Sequence, residues 1–287
     1  MLPTPFAGLV EPTALAEELG NENLVIVDTR DESAYAAGHL PGAINIQDIF
    51  YYLCLPQNGG LAGMRTHFAR LFSQAGIRPT DRVVLYEDAQ DNGYGKSCRG
   101  WLLLQYLGHA NAAVLHGGFR GWKTAQLPVT EVPGQREPTS FDLKVTSGHI
   151  IGLDEMRTAL GNPAIALVDC RDYAEWLGAN SSPYGYDYCP RKGRIPGAVW
   201  LEWYRIMERR SGSSWFRSPH EILEAFQQIG VTPERETIVY CFKGARASAV
   251  VMAMRRAGFQ RVVNYFPSWN EWSRDFSLPV DEEYPSS

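Results

Sequence analysis

Ala166-Leu167-Val168-Asp169-Cys170-Arg171 is an apolar run that stops at Asp-x-Arg, and the first half of the chain carries the same pattern in Val25-Ile26-Val27-Asp28-Thr29-Arg30. The match extends in both directions. Leu40-Pro41-Gly42-Ala43-Ile44 answers Ile195-Pro196-Gly197-Ala198-Val199, and Arg82-Val83-Val84-Leu85-Tyr86 answers Glu236-Thr237-Ile238-Val239-Tyr240. Further on, Phe119-Arg120-Gly121-Trp122 answers Trp269-Asn270-Glu271-Trp272, and Leu-Pro-Val closes both copies at 127–129 and 278–280. Matched blocks in one order mean that one supersecondary unit is written twice. Within each copy, short apolar runs alternate with amphipathic helical patterns, which predicts an α/β fold: a mainly parallel sheet with helices on both faces. Residues 12–19 and 153–160 read as the opening helices. Ser218-Pro219-His220-Glu221 has a capping Ser, Pro in the first turn and Glu three residues on, which starts a helix predicted to reach Gly230. The Pro- and Gly-bearing stretch 130–148 reads as an extended linker over the surface, placing the domains at 1–139 and 140–287.

Bulk properties narrow the function. A net charge of −5 argues against nucleic acid as the main partner, while leaving room for local basic loops that attract a small anion. Cys54, Cys98, Cys170, Cys189 and Cys241 are odd in number, widely spread and without a C-x-x-C pair, and the six histidines lack metal spacing. Neither a disulfide framework, a metal site nor a cofactor is expected, and a reducing, cytoplasmic setting fits. The opening Met1-Leu2-Pro3-Thr4-Pro5-Phe6 lacks a basic region followed by an apolar stretch, and no run is long enough for a membrane helix. A monomer is expected.

The copies differ where chemistry would sit. After the strand ending at Tyr240 comes Cys241-Phe242-Lys243-Gly244-Ala245-Arg246 and then a helical pattern, so Cys241 occupies a strand-to-helix turn. Backbone N–H groups and the helix dipole converge on such a turn, and Lys243 and Arg246 add positive charge, all of which favour a thiolate. The first copy has Glu87 at this position, in a longer acidic loop with Asp88 and Asp91. The stretch from Asp169 to Pro196 is also roughly twice as long as that from Asp28 to Pro41; the additional residues, Ser181 to Arg194, are aromatic and basic. Loops at the carboxyl ends of strands form the ligand crevice of open α/β sheets, so this insertion is expected to overhang Cys241.

These residues together resemble the rhodanese, or sulfurtransferase, family in its tandem form, over nearly the whole chain. The supports are the two Asp-x-Arg strands, the two Pro-Gly-Ala segments, Gly117-Gly118-Phe119-Arg120-Gly121-Trp122 and the loop from Cys241 to Arg246. The resemblance implies an inactive N-terminal rhodanese-like domain, with Glu87 in place of cysteine, and a catalytic C-terminal one. It implies that Cys241 takes a sulfane sulfur from a small anionic donor, holds it as a persulfide and passes it to a thiophilic acceptor. Phe242, Lys243, Gly244, Ala245 and Arg246 of the loop, with Arg171 and Arg194, are the expected substrate-binding set. Thiosulfate users in the family tend to have basic residues at the second and third loop positions, here Phe242 and Lys243. Mercaptopyruvate users tend to have a carboxylate-clamping Arg where this chain has Glu175, with Arg191, Lys192 and Arg194 as potential replacements. Thiosulfate is therefore the favoured donor and 3-mercaptopyruvate the alternative.

Two remoter readings stay open at this stage. A cysteine phosphatase also places Cys and Arg between strand and helix, but with C-x5-R rather than the C-x4-R found here; a non-catalytic binding module would not need Cys241. Among the other cysteines, Cys54, Cys98 and Cys170 read as structural, while Cys189, in the insertion, is the candidate for resolving a persulfide as a disulfide. Arg30 and Arg171 also read as ties for the sheet ends. Trp200, Trp203, Trp215 and Phe242 read as core or interface, and nothing in the sequence explains an aromatic residue beside the cysteine.

Overall fold

The computed structural model describes residues 8–89 and 93–282; Asp91 and the opening residues 1–6 lie outside them. The strands run β1 Leu9–Val10, β2 Leu24–Asp28, β3 Ile44–Asn45, β4 Arg82–Tyr86, β5 Ala112–Leu115, β6 Ile150–Ile151, β7 Ile165–Asp169, β8 Val199–Trp200, β9 Met207–Arg210, β10 Ser213–Phe216, β11 Glu236–Tyr240 and β12 Val262–Tyr265. They form two five-stranded parallel sheets of identical topology, ordered β1-β5-β4-β2-β3 and β6-β12-β11-β7-β8, plus the antiparallel pair β9–β10. The repeat read from sequence is thus a repeat of architecture. The apolar, β-branched runs became the inner strands because helices cover both faces: Leu24–Asp28 is buried at every position.

The opening helices form at Pro12–Glu17 and Leu153–Ala159, a little shorter than predicted. Pro219–Gln227 begins with the expected box, Ser218 Oγ accepting from the Glu221 N–H and Glu221 accepting from the Ser218 N–H, and ends before Gly230. Among the described residues no helix is long and apolar enough to cross a membrane.

Residues group into two compact units, and each contains a short segment from the other half of the sequence. The first comprises the β1–β5 sheet, the linker as far as Ser147, and the hairpin Met207–Phe216. The linker is extended as expected and held along this unit by bonds such as Thr139 N–H to Ser73 O and Lys144 N–H to Leu107 O. The hairpin turns at Ser211 and Gly212, both with positive φ, as the twist of a two-residue hairpin requires. Its Phe216 ring stacks on Tyr94 at 4.5 Å, and Ser213 Oγ donates to Gly117 O at 2.6 Å. Trp215 fills the space over Gly117 and Gly121; a Cβ at Gly117 would meet its ring at 2.5 Å. Trp215, half-buried, is therefore packed within this unit. The second unit comprises the β6–β12–β11–β7–β8 sheet together with Leu53–Met64.

In both sheets the strand order reverses between two inner strands, β2 and β4 in one unit and β7 and β11 in the other. Ligands of open α/β sheets sit outside the carboxyl ends of the strands at such a point. Cys241 directly follows β11, and Cys170 directly follows β7.

Candidate active site

The sheet end beneath the site is built the same way in both units. Arg171 donates through Nε and Nη2 to Asp169, with Nη2 to Oδ2 at 2.6 Å, and Tyr240 Oη donates to Asp169 at 2.7 Å. Arg30, Asp28 and Tyr86 repeat the arrangement, again at 2.6 Å for the ion pair. Arg171 is fully buried, also donates to Gly193 O at 2.8 Å, and lies over the Trp269 ring at 4.6 Å. It is a tie between sheet, insertion and helix, as its alternative sequence reading had it. Arg194, buried, paired with Asp281 at 2.8 Å and stacked over Trp176 at 4.6 Å, anchors the C-terminal segment. Arg191 donates to the carbonyls of Trp272, Ser273, Asp275 and Leu278. The cations offered by the insertion as a carboxylate clamp are thus largely spent on structure.

The loop Cys241–Gly244 joins β11 to the helix Ala245–Arg256. Gly244 sits at φ +80°, and a Cβ there would meet Phe266 O at 2.6 Å, so only glycine fits this turn. Its carbonyl is fixed by Ser248 Oγ at 2.6 Å and Asn264 Nδ2 at 2.9 Å. On the other side, Trp269 N–H donates to Cys241 O at 3.0 Å and Asn270 N–H to Phe242 O at 2.9 Å, while Cys241 N–H donates to Ser268 Oγ at 3.1 Å. The backbone around the thiol is held on every side.

Cys241 is 1% exposed. Burial alone would push its thiol up; the hydrogen bond from Cys170, the Arg246 charge and the amides of Ala247 and Lys243 outweigh it and hold the thiol well below the usual range. The sequence offered the loop amides and the cations but not Cys170. Arg246 in turn is clamped by Glu175, whose two oxygens accept from Nη1 and Nη2 at 2.5 and 3.0 Å, and by Asp172 at 3.1 Å. The Asp172-x-x-Glu175 spacing is a helix capping box, a signal that pointed to a helix start and not to a partner for the loop arginine. Trp203 Nε1 donates to Asp172 at 3.1 Å and Trp200 Nε1 to Arg171 O at 2.9 Å, so both tryptophans order this turn.

Phe242, unexplained by sequence, is buried and packs against Tyr184 at 4.9 Å and Tyr188 at 6.3 Å. Lys243 Nζ lies 5.6 Å from the Tyr184 ring. The insertion therefore lies over the Cys241 loop as expected, seated on Phe242. Cys189 is buried in the apolar core with Ile195, Trp269 and Trp272, its thiol engaged by Ser273 and Asn270. It is a core residue.

In the first unit Glu87 occupies the corresponding place after β4. The Ser97 N–H and Oγ donate to its carboxylate at 2.6 and 2.9 Å, and Phe119 N–H donates to its carbonyl at 2.8 Å, the counterpart of Trp269 on Cys241. Burial raises its pKa to about 7 against those hydrogen bonds and Lys96. This unit holds a carboxyl where the other holds a thiol.

The rhodanese-like domain pattern matches residues 11–125 and again 152–275. The chain belongs to the rhodanese family. This rhodanese is 29% identical to a thiosulfate sulfurtransferase of Pseudomonas aeruginosa, over 95% of its own length and 96% of the relative's. It is 28% identical to a "Probable 3-mercaptopyruvate sulfurtransferase" of the same organism, over 96% and 98%. Among solved structures, an EanB variant bearing a cysteine persulfide, with ergothioneine, superposes with a TM-score of 0.83 at 25% identity, over 97% of this chain and 71% of that one. This rhodanese is accordingly a sulfurtransferase with two rhodanese-like domains. Relatives named for sulfur transfer leave the phosphatase and binding-module readings without support.

Proposed function

We propose that this enzyme moves a sulfane sulfur from thiosulfate to a thiophilic acceptor through a persulfide on Cys241. The observation that carries the reading is the buried Cys241 thiol at the strand-to-helix turn, where the Cys170 side chain, the Arg246 charge and the Ala247 and Lys243 amides converge and favour the thiolate. The thiolate attacks the outer sulfur of thiosulfate, the S–S bond breaks and sulfite leaves; the new persulfide anion stays in the ring of amides. An acceptor such as cyanide or a thiol then takes the outer sulfur and restores the thiolate. Lys243 and the amides serve the compact charge of the donor and of departing sulfite. Arg246 acts from behind, as a charge beside the thiolate that Glu175 and Asp172 hold in place. Thiosulfate is favoured over 3-mercaptopyruvate because Glu175 stands where a carboxylate clamp would be and itself binds Arg246. Five buried thiols, none in a disulfide, support a reducing compartment such as the cytoplasm.

Incubation with thiosulfate should add the mass of one sulfur to the Cys241 peptide, and Cys241→Ser should abolish thiocyanate formation from thiosulfate and cyanide. An unmodified Cys241 peptide, or appreciable turnover by the Ser variant, would sink the proposal. Parallel kinetics with 3-mercaptopyruvate decide the donor.

A further inference from the structure

A second thiol stands beside Cys241. Strands β7 and β11 pair in register through Asp169 and Tyr240, so the next residues on each, Cys170 and Cys241, face one another at the carboxyl ends of neighbouring strands. Parallel neighbours lie about 4.8 Å apart, within the Cα separations of about 4.4–6.8 Å that a disulfide spans. Cys170 N–H donates to Tyr240 O at 3.0 Å, and its Sγ lies 3.2 Å from the same carbonyl. The Cys170 proton has two acceptors in reach, that carbonyl and the Cys241 sulfur. The Lys243 amide reaches Cys241 from the loop and the Ala247 amide from the first turn of the helix, whereas Cys170 reaches it from the adjoining strand.

The first unit says what the sheet itself requires at this position. Thr29 occupies it there, and its Oγ1 donates to Tyr86 O at 2.9 Å, the same bond that Cys170 makes to Tyr240 O. A hydroxyl therefore completes the strand end. The thiol adds redox chemistry that the sheet does not need.

We propose that Cys170 is a resolving thiol: when no acceptor takes the sulfane sulfur, Cys170 attacks Cys241 Sγ, closes a Cys170–Cys241 disulfide and expels the outer sulfur as hydrosulfide. The proposal rests on the Cys241 persulfide reading. One S–S bond breaks, between Cys241 Sγ and the outer sulfur, and one forms. The two cysteine sulfurs together give up two electrons, the outer sulfur receives them, and the Cys170 proton leaves with it as HS⁻. The sulfane sulfur is itself the oxidant. Burial keeps Cys170 protonated, its pKa raised well above the usual thiol range, so it attacks slowly and an acceptor, when present, wins. The enzyme then has a second activity, one discharge of hydrosulfide per loading, after which a dithiol must reopen the disulfide.

The test loads wild type and Cys170→Ser anaerobically with thiosulfate, without acceptor, and follows intact mass under non-reducing conditions together with released hydrosulfide. Wild type should release about one equivalent of hydrosulfide, end two hydrogens lighter than the reduced protein, and regain both thiols with dithiothreitol. Cys170→Ser should keep the added sulfur and release none. Wild type that retains the added sulfur without hydrosulfide, or matches the variant in hydrosulfide release, overturns the resolving role alone. Absence of both sulfur uptake and sulfite release by wild type overturns the persulfide reading, and this proposal with it. If Cys170→Ser does not fold, Cys170→Thr, which copies Thr29, takes its place, and the wild-type outcome decides by itself.

Discussion

Removing Arg246 should cost stability as well as activity, and the amounts follow from its partners. Glu175 has a side chain only 1% exposed and gives both oxygens to the guanidinium, whereas the Asp172 side chain is 36% exposed. In Arg246→Ala, Glu175 becomes a buried carboxylate without its cation, a change that typically costs about 3–5 kcal/mol; the Asp172 contact, closer to a surface pair, adds less than about 1 kcal/mol. At about 2–4 °C per kcal/mol for domains of this size, the transition carrying the second unit should fall by roughly 6–20 °C. The assay is thermal and guanidinium unfolding of wild type, Arg246→Ala, Glu175→Gln and the double variant. Neutralising Glu175 removes the stranded charge, so the double variant should be more stable than the sum of the singles, by about 1 kcal/mol or more. In the same proteins the Cys241 thiol should shift upward when Arg246 is lost, read as the pH dependence of its alkylation, because the Arg246 charge helps hold it down. Strict additivity, with Arg246→Ala within about 1 kcal/mol of wild type, would show that the pair is not what fixes this side of the loop.

Gly244→Ala should place a Cβ 2.6 Å from Phe266 O at a φ of +80°, a backbone strain of about 1–3 kcal/mol that the loop relieves by moving. Steady-state assays should show kcat/KM down more than about tenfold with circular dichroism unchanged, and a fully active variant would contradict the tight-turn account. Glu87 predicts a pH signature: its folded pKa of about 7 lies above the ordinary carboxylate value, so its contribution is fully present below about pH 4.5 and is lost as pH rises through 7. Relative to Glu87→Gln, wild type should lose up to about 3 kcal/mol between pH 5 and pH 8 in urea titrations, while sulfur transfer stays largely intact; a pH-independent difference would show that the carboxyl is not held protonated.

Much of the fold was legible because the chain repeats its own punctuation. Asp-x-Arg marks the end of an inner strand in both copies, since the Arg side chain folds back on the Asp two residues earlier and on a Tyr-bearing neighbour strand, a local closure that sequence alone can reveal. The cysteine loop was legible for a similar reason: strand, glycine and helix follow one another without interruption. What escaped depends on contacts between distant residues. Arg171 and Arg194 looked available because both are basic and near the loop, yet both are buried and tied to Asp169, Gly193, Asp281 and Trp176. Cys170 looked like an inert strand-end thiol because register between β7 and β11, not spacing along the chain, brings it to Cys241. Phe242 acquired a reason only when Tyr184 and Tyr188 of the insertion were seen resting on it.

The exchanged segments bear on how the chain is made. The first sheet is finished by Leu115, but the unit around it includes Met207–Phe216, so a nascent chain that has emerged only as far as the linker still lacks the tryptophan that covers Gly117 and Gly121. Completion of the N-terminal unit must wait for Trp215, 100 residues beyond Leu115, by which time β7 and β8 have also been synthesised. Each half of the sequence supplies a segment to the unit built mainly by the other half, so a chain cut at its midpoint should give two incomplete units.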